Sequence, residues 1–331
     1  MNQELKDKRI NEVITLFTSG MVEECVVKAE ELISLYYDKE PFLFNLLGVA
    51  YAAKGDFNTA ISSYNKALSL EPNYYEVYNN MGVAYNDWKK PDVALSYLKK
   101  AIKINPQYSE AFNNIGNSYK QKTELSLAIQ NYKKAIDISP TYVDALCNLG
   151  ICLALEKRYE QAKIVYEKAT ILDPSNKQIT FLISDCLFNM KSYKKAKKII
   201  YKELQNNKLD TQFNHLLGKI LHKEGNHKAL EYYRIALNNV KFEGDLLNDM
   251  GAFFFEQRKL RCSEYVLLKA LTLNKKNFNA KLNLAYSQLI RRNFKEGWDN
   301  QELRWKADFA NDVIWPIKDQ ELWEGQRDKK V

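Results

Sequence analysis

The side chains able to do covalent or metal chemistry are few in this sequence and poorly placed for it. His215 and His222 stand seven residues apart, on one helix face but too far for the i, i+4 pairing of helical metal sites, and His227 follows Gly225 in a turn. Five cysteines (Cys25, Cys147, Cys152, Cys186 and Cys262) form no CxxC pair and fall mostly at apolar-patterned positions. They read as small core residues in a reducing compartment. The chain contains no glycine-rich phosphate loop and no nucleophile elbow, and its carboxylates scatter along solvent-facing positions. The expectation is a non-enzyme with no metal and no cofactor.

Amides offer a different chemistry. Asn80, Asn114 and Asn148 recur at intervals of 34 residues, and Asp249 and Asn283 fall at matching positions further on. A carboxamide presents a donor and an acceptor together, the two groups that an extended peptide backbone needs. Repeated in a row, such side chains would grip a chain with little regard to its sequence.

The same period runs through the residues that must position them. Gly48, Gly82, Gly116 and Gly150 keep a 34-residue step, as do Ala60, Ala94, Ala128 and Ala162. Ala67, Ala101, Ala135 and Ala169 follow it, and so do Pro72, Pro106, Pro140 and Pro174. A period of this length signals a solenoid of stacked units. Each unit splits into two amphipathic helices: a helix A such as PFLFNLLGVAYAAK, a break at Gly55-Asp56, and a helix B such as TAISSYNKALSL. Gly48 and Ala60 let the two helices of a unit approach closely, and Ala67 admits the next helix A. An all-α solenoid of antiparallel helix pairs is the predicted fold.

Four near-consensus units occupy residues 41–176. Phase persists beyond them through four degenerate units over 177–306, where Ser184 and Ala285 replace glycines and one residue is deleted before Ala229. Residues 1–40 read as an atypical N-terminal capping repeat, and 307–331 as a tryptophan-containing tail. Worn end repeats are expected where one face meets water. Leu16 and Phe17, with no earlier neighbour, add an expectation of self-association through the terminal repeats.

NNMGVAYNDWKKPDVALSYLKKAIKINP and FNNIGNSYKQKTELSLAIQNYKKAIDISP resemble tetratricopeptide repeats. That resemblance implies a right-handed superhelix with the residue two before each helix-A glycine on the concave side. Those positions hold Leu46, Asn80, Asn114, Asn148, Leu182, Leu216, Asp249 and Asn283. The asparagines are similar to the ladder in the repeat arm of O-linked N-acetylglucosamine transferases, while Leu46, Leu182 and Leu216 depart from it. Carboxylate-clamp repeats place Lys and Arg on this face; here Asn45, Asn79, Asn113 and Cys147 precede the ladder instead.

EGW, ELRWK and WPIKDQELWEG, which hold Trp298, Trp305, Trp315 and Trp323, look like the junction to a glycosyltransferase-like domain in bacterial proteins of this kind. That resemblance implies a substrate-recognition arm whose catalytic domain lies outside this chain. The bland alternative is that Trp298 and Trp305, on one helix face, seal the end of the stack. An asparagine in the ladder position likewise has a bland role, bridging adjacent helices.

Charge narrows the partner. The net charge of +8 comes mostly from Lys, with Lys191, Lys194, Lys195, Lys198 and Lys202 on one stripe that reads as a solvated face. Aromatics are not interleaved there as base stacking would require, so no nucleic acid is expected. Glu76, Glu110 and Asp144 make the groove entrance acidic, which favours a neutral or basic peptide. A polar N-terminus excludes a secretory signal, and no run reaches the ~18 apolar residues of a spanning helix, so a cytoplasmic protein without membrane contact is expected. The predicted function is a scaffold that holds an extended segment of another protein.

Overall fold

A computed structural model describes residues 3–37, 39–238 and 244–301, which hold eighteen α-helices, one π-helical turn and no strand. The chain divides into two compact units after Ser192. In the first, α1 (Gln3–Thr18) and α2 (Val22–Leu32) are followed by a π turn over Ile33–Tyr37. Four regular pairs come next: α3 (Pro41–Ala53) with α4 (Phe57–Leu70), α5 (Tyr75–Asp87) with α6 (Pro91–Ile104), α7 (Ser109–Gln121) with α8 (Leu125–Ile138), and α9 (Val143–Leu155) with α10 (Tyr159–Leu172). Helix α11 (Lys177–Asn189) ends this unit. The second unit holds α12 (Tyr193–Asn206), α13 (Thr211–Lys223), α14 (Ala229–Asn238), α15 (Gly244–Glu256), α16 (Leu260–Leu273), α17 (Phe278–Ile290) and α18 (Phe294–Gln301).

Helix boundaries follow from local chemistry. Pro41 and Pro91 open α3 and α6, where a missing N–H leaves nothing unpaired. Asp56 caps α4 by accepting the Thr59 N–H at 3.2 Å. Between helix A and helix B the chain turns through one left-handed residue, and the same register recurs along the sequence: Gly20, Gly55, Lys89, Thr123, Lys157, Lys191, Gly225, Arg258 and Arg292 all have positive φ. At Thr123, a β-branched residue at φ 61°, this conformation costs roughly 1–2 kcal/mol. The turn is therefore held by the helices that flank it and not by its own residue.

Packing explains the small residues. A Cβ at Gly116 would lie 2.5 Å from Tyr132 Cε1, and one at Gly150 would lie 2.3 Å from Tyr166 Cε1. Helix A thus meets the ring of its own helix B across a bare backbone. Tyr132, Tyr166, Ala128, Ala135, Ala162 and Ala169 are all 0% exposed. The large ring fills the space that the glycine and alanines open, to the density of a close-packed interior. Outside this core a second contact repeats: the ammonium groups of Lys66, Lys100 and Lys134 stand 5.9, 5.6 and 5.7 Å from the ring centres of Phe44, Tyr78 and Phe112. These cation–π contacts tie the late turns of helix B to the early turns of helix A.

Departures from the regular pattern have visible consequences. Where the residue before Ala229 is deleted, α14 starts at Ala229 itself, whereas α4 starts three residues before the equivalent Ala60. Leu16 and Phe17 are half-buried and pack against the core of α1–α3. Lys194, Lys195, Lys198 and Lys202 are exposed along α12. Trp298 is 54% exposed; Trp305, Trp315 and Trp323, and with them the tail, lie outside the described residues.

Candidate functional site

Gly82, Gly116 and Gly150 face helix B, and the residue two positions earlier is turned about 200° away around the helix. Asn80, Asn114 and Asn148 therefore lie on the opposite side of α5, α7 and α9, half-buried. Each first serves the stack. Asn80 Nδ2 donates to Asn45 Oδ1 at 3.0 Å, Asn114 Nδ2 to Asn79 Oδ1 at 2.9 Å, and Asn148 Nδ2 to Asn113 Oδ1 at 3.1 Å. In every case the acceptor belongs to the preceding helix A. Asn45, Asn79 and Asn113 are buried at 9%, 6% and 5% exposure. Asn113 also donates to Tyr142 Oη at 3.3 Å, so one inner amide holds two residues of the next helix pair.

The register changes hands where the amides stop. Cys147 and Leu182 occupy the next clasp position, and both pack against an apolar cluster. In the second unit, Asn283 Nδ2 donates to Asn248 Oδ1 at 2.9 Å, and His215 Nε2 lies 2.9 Å from Asp249 Oδ2. The separation of 34 residues in the His215–Asp249 pair, against 35 in the asparagine pairs, follows from the deletion before Ala229. His222 Nε2 is 3.0 Å from Glu256 Oε2 but off the hydrogen-bonding direction. Both α13 histidines thus face carboxylates of α15. Among the described residues no three His, Cys, Asp or Glu side chains are grouped to hold a metal ion.

Beyond the clasp, α5, α7 and α9 frame an open groove of about 300 Å3. Its lining includes Asn86 and Asp87 of α5, Asn114, Asn117, Lys120 and Gln121 of α7, and Asn148 of α9. Asn114 and Asn148 are thus brought together; Asn80 stands on the same face of α5 outside this lining, and Asp249 and Asn283 belong to the second unit. The groove walls are themselves fixed by hydrogen bonds. Ser118 Oγ donates to Asn86 Oδ1 at 2.9 Å, Gln121 Nε2 to the Asn86 carbonyl at 3.2 Å, and Tyr132 Oη to Asn117 Oδ1 at 2.8 Å. Lys120 Nζ donates to Asn148 Oδ1 at 3.1 Å, and burial holds its ammonium below the usual lysine range.

Glu76, Glu110 and Asp144 occupy the first turns of the same three helices. Burial, and then the charges of Asp144 and Glu110, push the Tyr142 phenol up to about 12. Burial likewise raises the Cys147 thiol to about 11 and the Cys186 thiol to about 12. Neither thiol is ionised near neutral pH, so neither is a ready nucleophile. Among the described residues, no helix is long and apolar enough to cross a membrane.

Sequence reasoning missed the inner acceptors and most of the groove lining. The doublets Asn79-Asn80 and Asn113-Asn114 carry the signal, because a donor in one copy meets the acceptor one place earlier in the copy before. Lys120 was signalled by its neighbours in register: Ala52, Asn86 and Ala154 hold the equivalent places.

Comparison with known proteins agrees with this architecture. A family model described as TPR repeat matches residues 48–87 and 116–156, and two described as tetratricopeptide repeat match 75–108 and 143–176. No curated protein matches the chain in sequence. Among solved structures, a tetratricopeptide repeat protein from Parabacteroides merdae is 17% identical with a TM-score of 0.63, covering 78% of this chain and 98% of its own. The type IV pilus biogenesis factor PilW is 17% identical with a TM-score of 0.58, covering 66% and 100%. The APC/C hetero-tetramer Cut9-Hcn1 gives 14% and 0.59, covering 87% and 58%. At these identities the likeness is one of fold. The glycosyltransferase-junction resemblance gains no support, since the family matches end at residue 176. The chain carries tetratricopeptide repeats within residues 48–176, and its helix pairs have the all-helical fold of tetratricopeptide-repeat solenoids.

Proposed function

We propose that the helix-A face of α5, α7 and α9 binds an extended segment of another protein. Repeats of this type typically build interaction scaffolds, but fold alone does not fix a role. The observation that carries the reading is the amide-lined groove containing Asn114 and Asn148. A carboxamide has two N–H donors and two lone pairs. Each ladder asparagine commits one donor to the clasp and one lone pair to a neighbour within the fold, which leaves one N–H and one lone pair for a peptide backbone. Glu76, Glu110 and Asp144 on the first turns favour a segment that is neutral or basic overall.

A pair of variants separates binding from stacking, because Asn114→Ala and Asn79→Ala break the same hydrogen bond. Only the first removes an amide from the groove. Peptides selected from a random display library on the wild-type protein should bind Asn114→Ala about tenfold more weakly, the loss expected for a hydrogen bond of ~1.4 kcal/mol. Asn79→Ala should lose stability in urea and keep its affinity. Equal affinity of both variants and wild type would remove the asparagine row from the binding surface.

A further inference from the structure

Lys120 is the odd residue of the groove. Its register in the neighbouring regular copies is filled by Ala52, Asn86 and Ala154, so helix pairing asks for no lysine there. Lys122 and Lys163 of this unit find carboxylates: Lys122 lies 2.8 Å from Asp92 and 2.9 Å from Glu124, and Lys163 lies 3.0 Å from Glu160. Lys120 has no ion pair among the described residues, although Asp87 lines the same groove. Its place in the last turn of α7 suits the helix dipole. The dipole explains a cation at that end of the helix but not a half-buried one.

The environment favours an anion. Nζ is held by Asn148 Oδ1 at 3.1 Å, Asn148 by Asn113 at 3.1 Å, and Asn113 by Tyr142 at 3.3 Å. This chain of hydrogen bonds fixes the ammonium at the groove wall and leaves two of its three N–H donors over. Burial depresses its proton affinity, the sign of a charge short of compensation. A carboxylate arriving in the groove would restore that compensation in surroundings less screened than bulk water. Its hydrogen bonds would be charge-assisted, and Asn117 and Gln121 of the same wall could share them.

We infer that Lys120 makes the groove a receptor for a carboxylate carried by the bound segment. The inference rests on the peptide-binding reading above and adds a chemical preference to it. The acidic first turns and Lys120 lie on opposite flanks of the asparagine row: Glu110 is four residues before Asn114, ~6 Å along the helix, and Lys120 six residues after it, ~9 Å. A segment along the row would meet acids on one flank and one cation on the other. The guest is thus neutral or basic overall and bears one acidic group facing Lys120.

The test uses the full chain and a synthetic peptide array in matched pairs, each pair differing only by Glu or Gln at one position, with amidated C-termini. A parallel set carries free C-terminal acids. Wild type should prefer Glu over Gln at one position of the bound peptides by about tenfold, and Lys120→Met should bind both members of the pair equally. Thermal melts of Lys120→Met should match wild type, because a half-buried charge has been removed and no ion pair lost. Tighter binding of the free-acid set than of the amidated set, lost in Lys120→Met, also supports the inference and assigns the carboxylate to the C-terminus. Equal binding of Glu and Gln peptides by wild type, with no gain from a free C-terminal acid, overturns the carboxylate and leaves peptide binding standing. A Glu preference that survives in Lys120→Met overturns the assignment to Lys120. Failure of wild type to bind any peptide overturns both readings.

Discussion

Gly116→Ala is expected to destabilise the first unit by about 1–3 kcal/mol, the usual effect of overfilling a packed core. The sign is the informative part. On an exposed helix surface the same exchange would stabilise by roughly 1 kcal/mol, since alanine is the better helix former. Here the added Cβ would stand 2.5 Å from Tyr132 Cε1 and 2.7 Å from Cδ1, both in a ring that is 0% exposed. The ring cannot retreat, because its hydroxyl is bonded to Asn117 at 2.8 Å and its neighbours are close-packed. Tyr132→Ala alone should cost about 3–5 kcal/mol through the cavity it leaves. With the ring gone, Gly116→Ala should become neutral or stabilising, so the double-mutant cycle shows strong coupling. Urea denaturation of the four proteins measures it. Simple additivity would mean that the glycine is not there to admit the ring.

Asn113→Leu should cost about 1–3 kcal/mol, for a different reason. The substitution is close to isosteric but removes the acceptor of Asn148 and the donor to Tyr142 at a site 5% exposed. The chain itself supplies the control. One repeat further on, the same register holds Cys147 and Leu182, an apolar pair packed against the cluster that includes Leu149 and Ile179. Asn113→Leu combined with Asn148→Leu should therefore recover part of the loss, since the clasp's donor and acceptor leave together while Tyr142 Oη and Lys120 Nζ still lose their amide partners. If the double variant is as unstable as the single one, the clasp is not the origin of the effect.

What could be read from the sequence was the part of the structure that repeats with its own period. The glycine and alanine positions, and the large residue that meets the glycine (Tyr64, Leu98, Tyr132 and Tyr166), recur every 34 residues because each copy packs on itself, so periodicity alone gave the helix pairs and their buried faces. The bridging of adjacent helices by the ladder asparagines was legible, but their partners were hidden because the clasp joins Asn80 to Asn45, 35 residues away, out of step with the period by one. Its donors are visible as a ladder; its acceptors looked like mere neighbours of the ladder. The turns were hidden for another reason. Lys89, Thr123 and Lys157 adopt a left-handed conformation that glycine usually marks, and only Gly20, Gly55 and Gly225 announced it. Tertiary packing overrode local preference at the rest. Lys120 was overlooked because a lysine near a helix C-terminus needs no special account until its half-burial and missing carboxylate are seen.

The central claim is that the amide-lined face of α5, α7 and α9 receives an extended segment of a partner. Amide hydrogen exchange of the full chain tests it most directly, with and without a saturating peptide selected on the wild-type protein. The account predicts new protection concentrated in Asn114–Gln121 of α7 and in the facing turns of α5 and α9, with α6, α8 and α10 unchanged. Protection confined to those helix-B segments, or to the second unit, would contradict it.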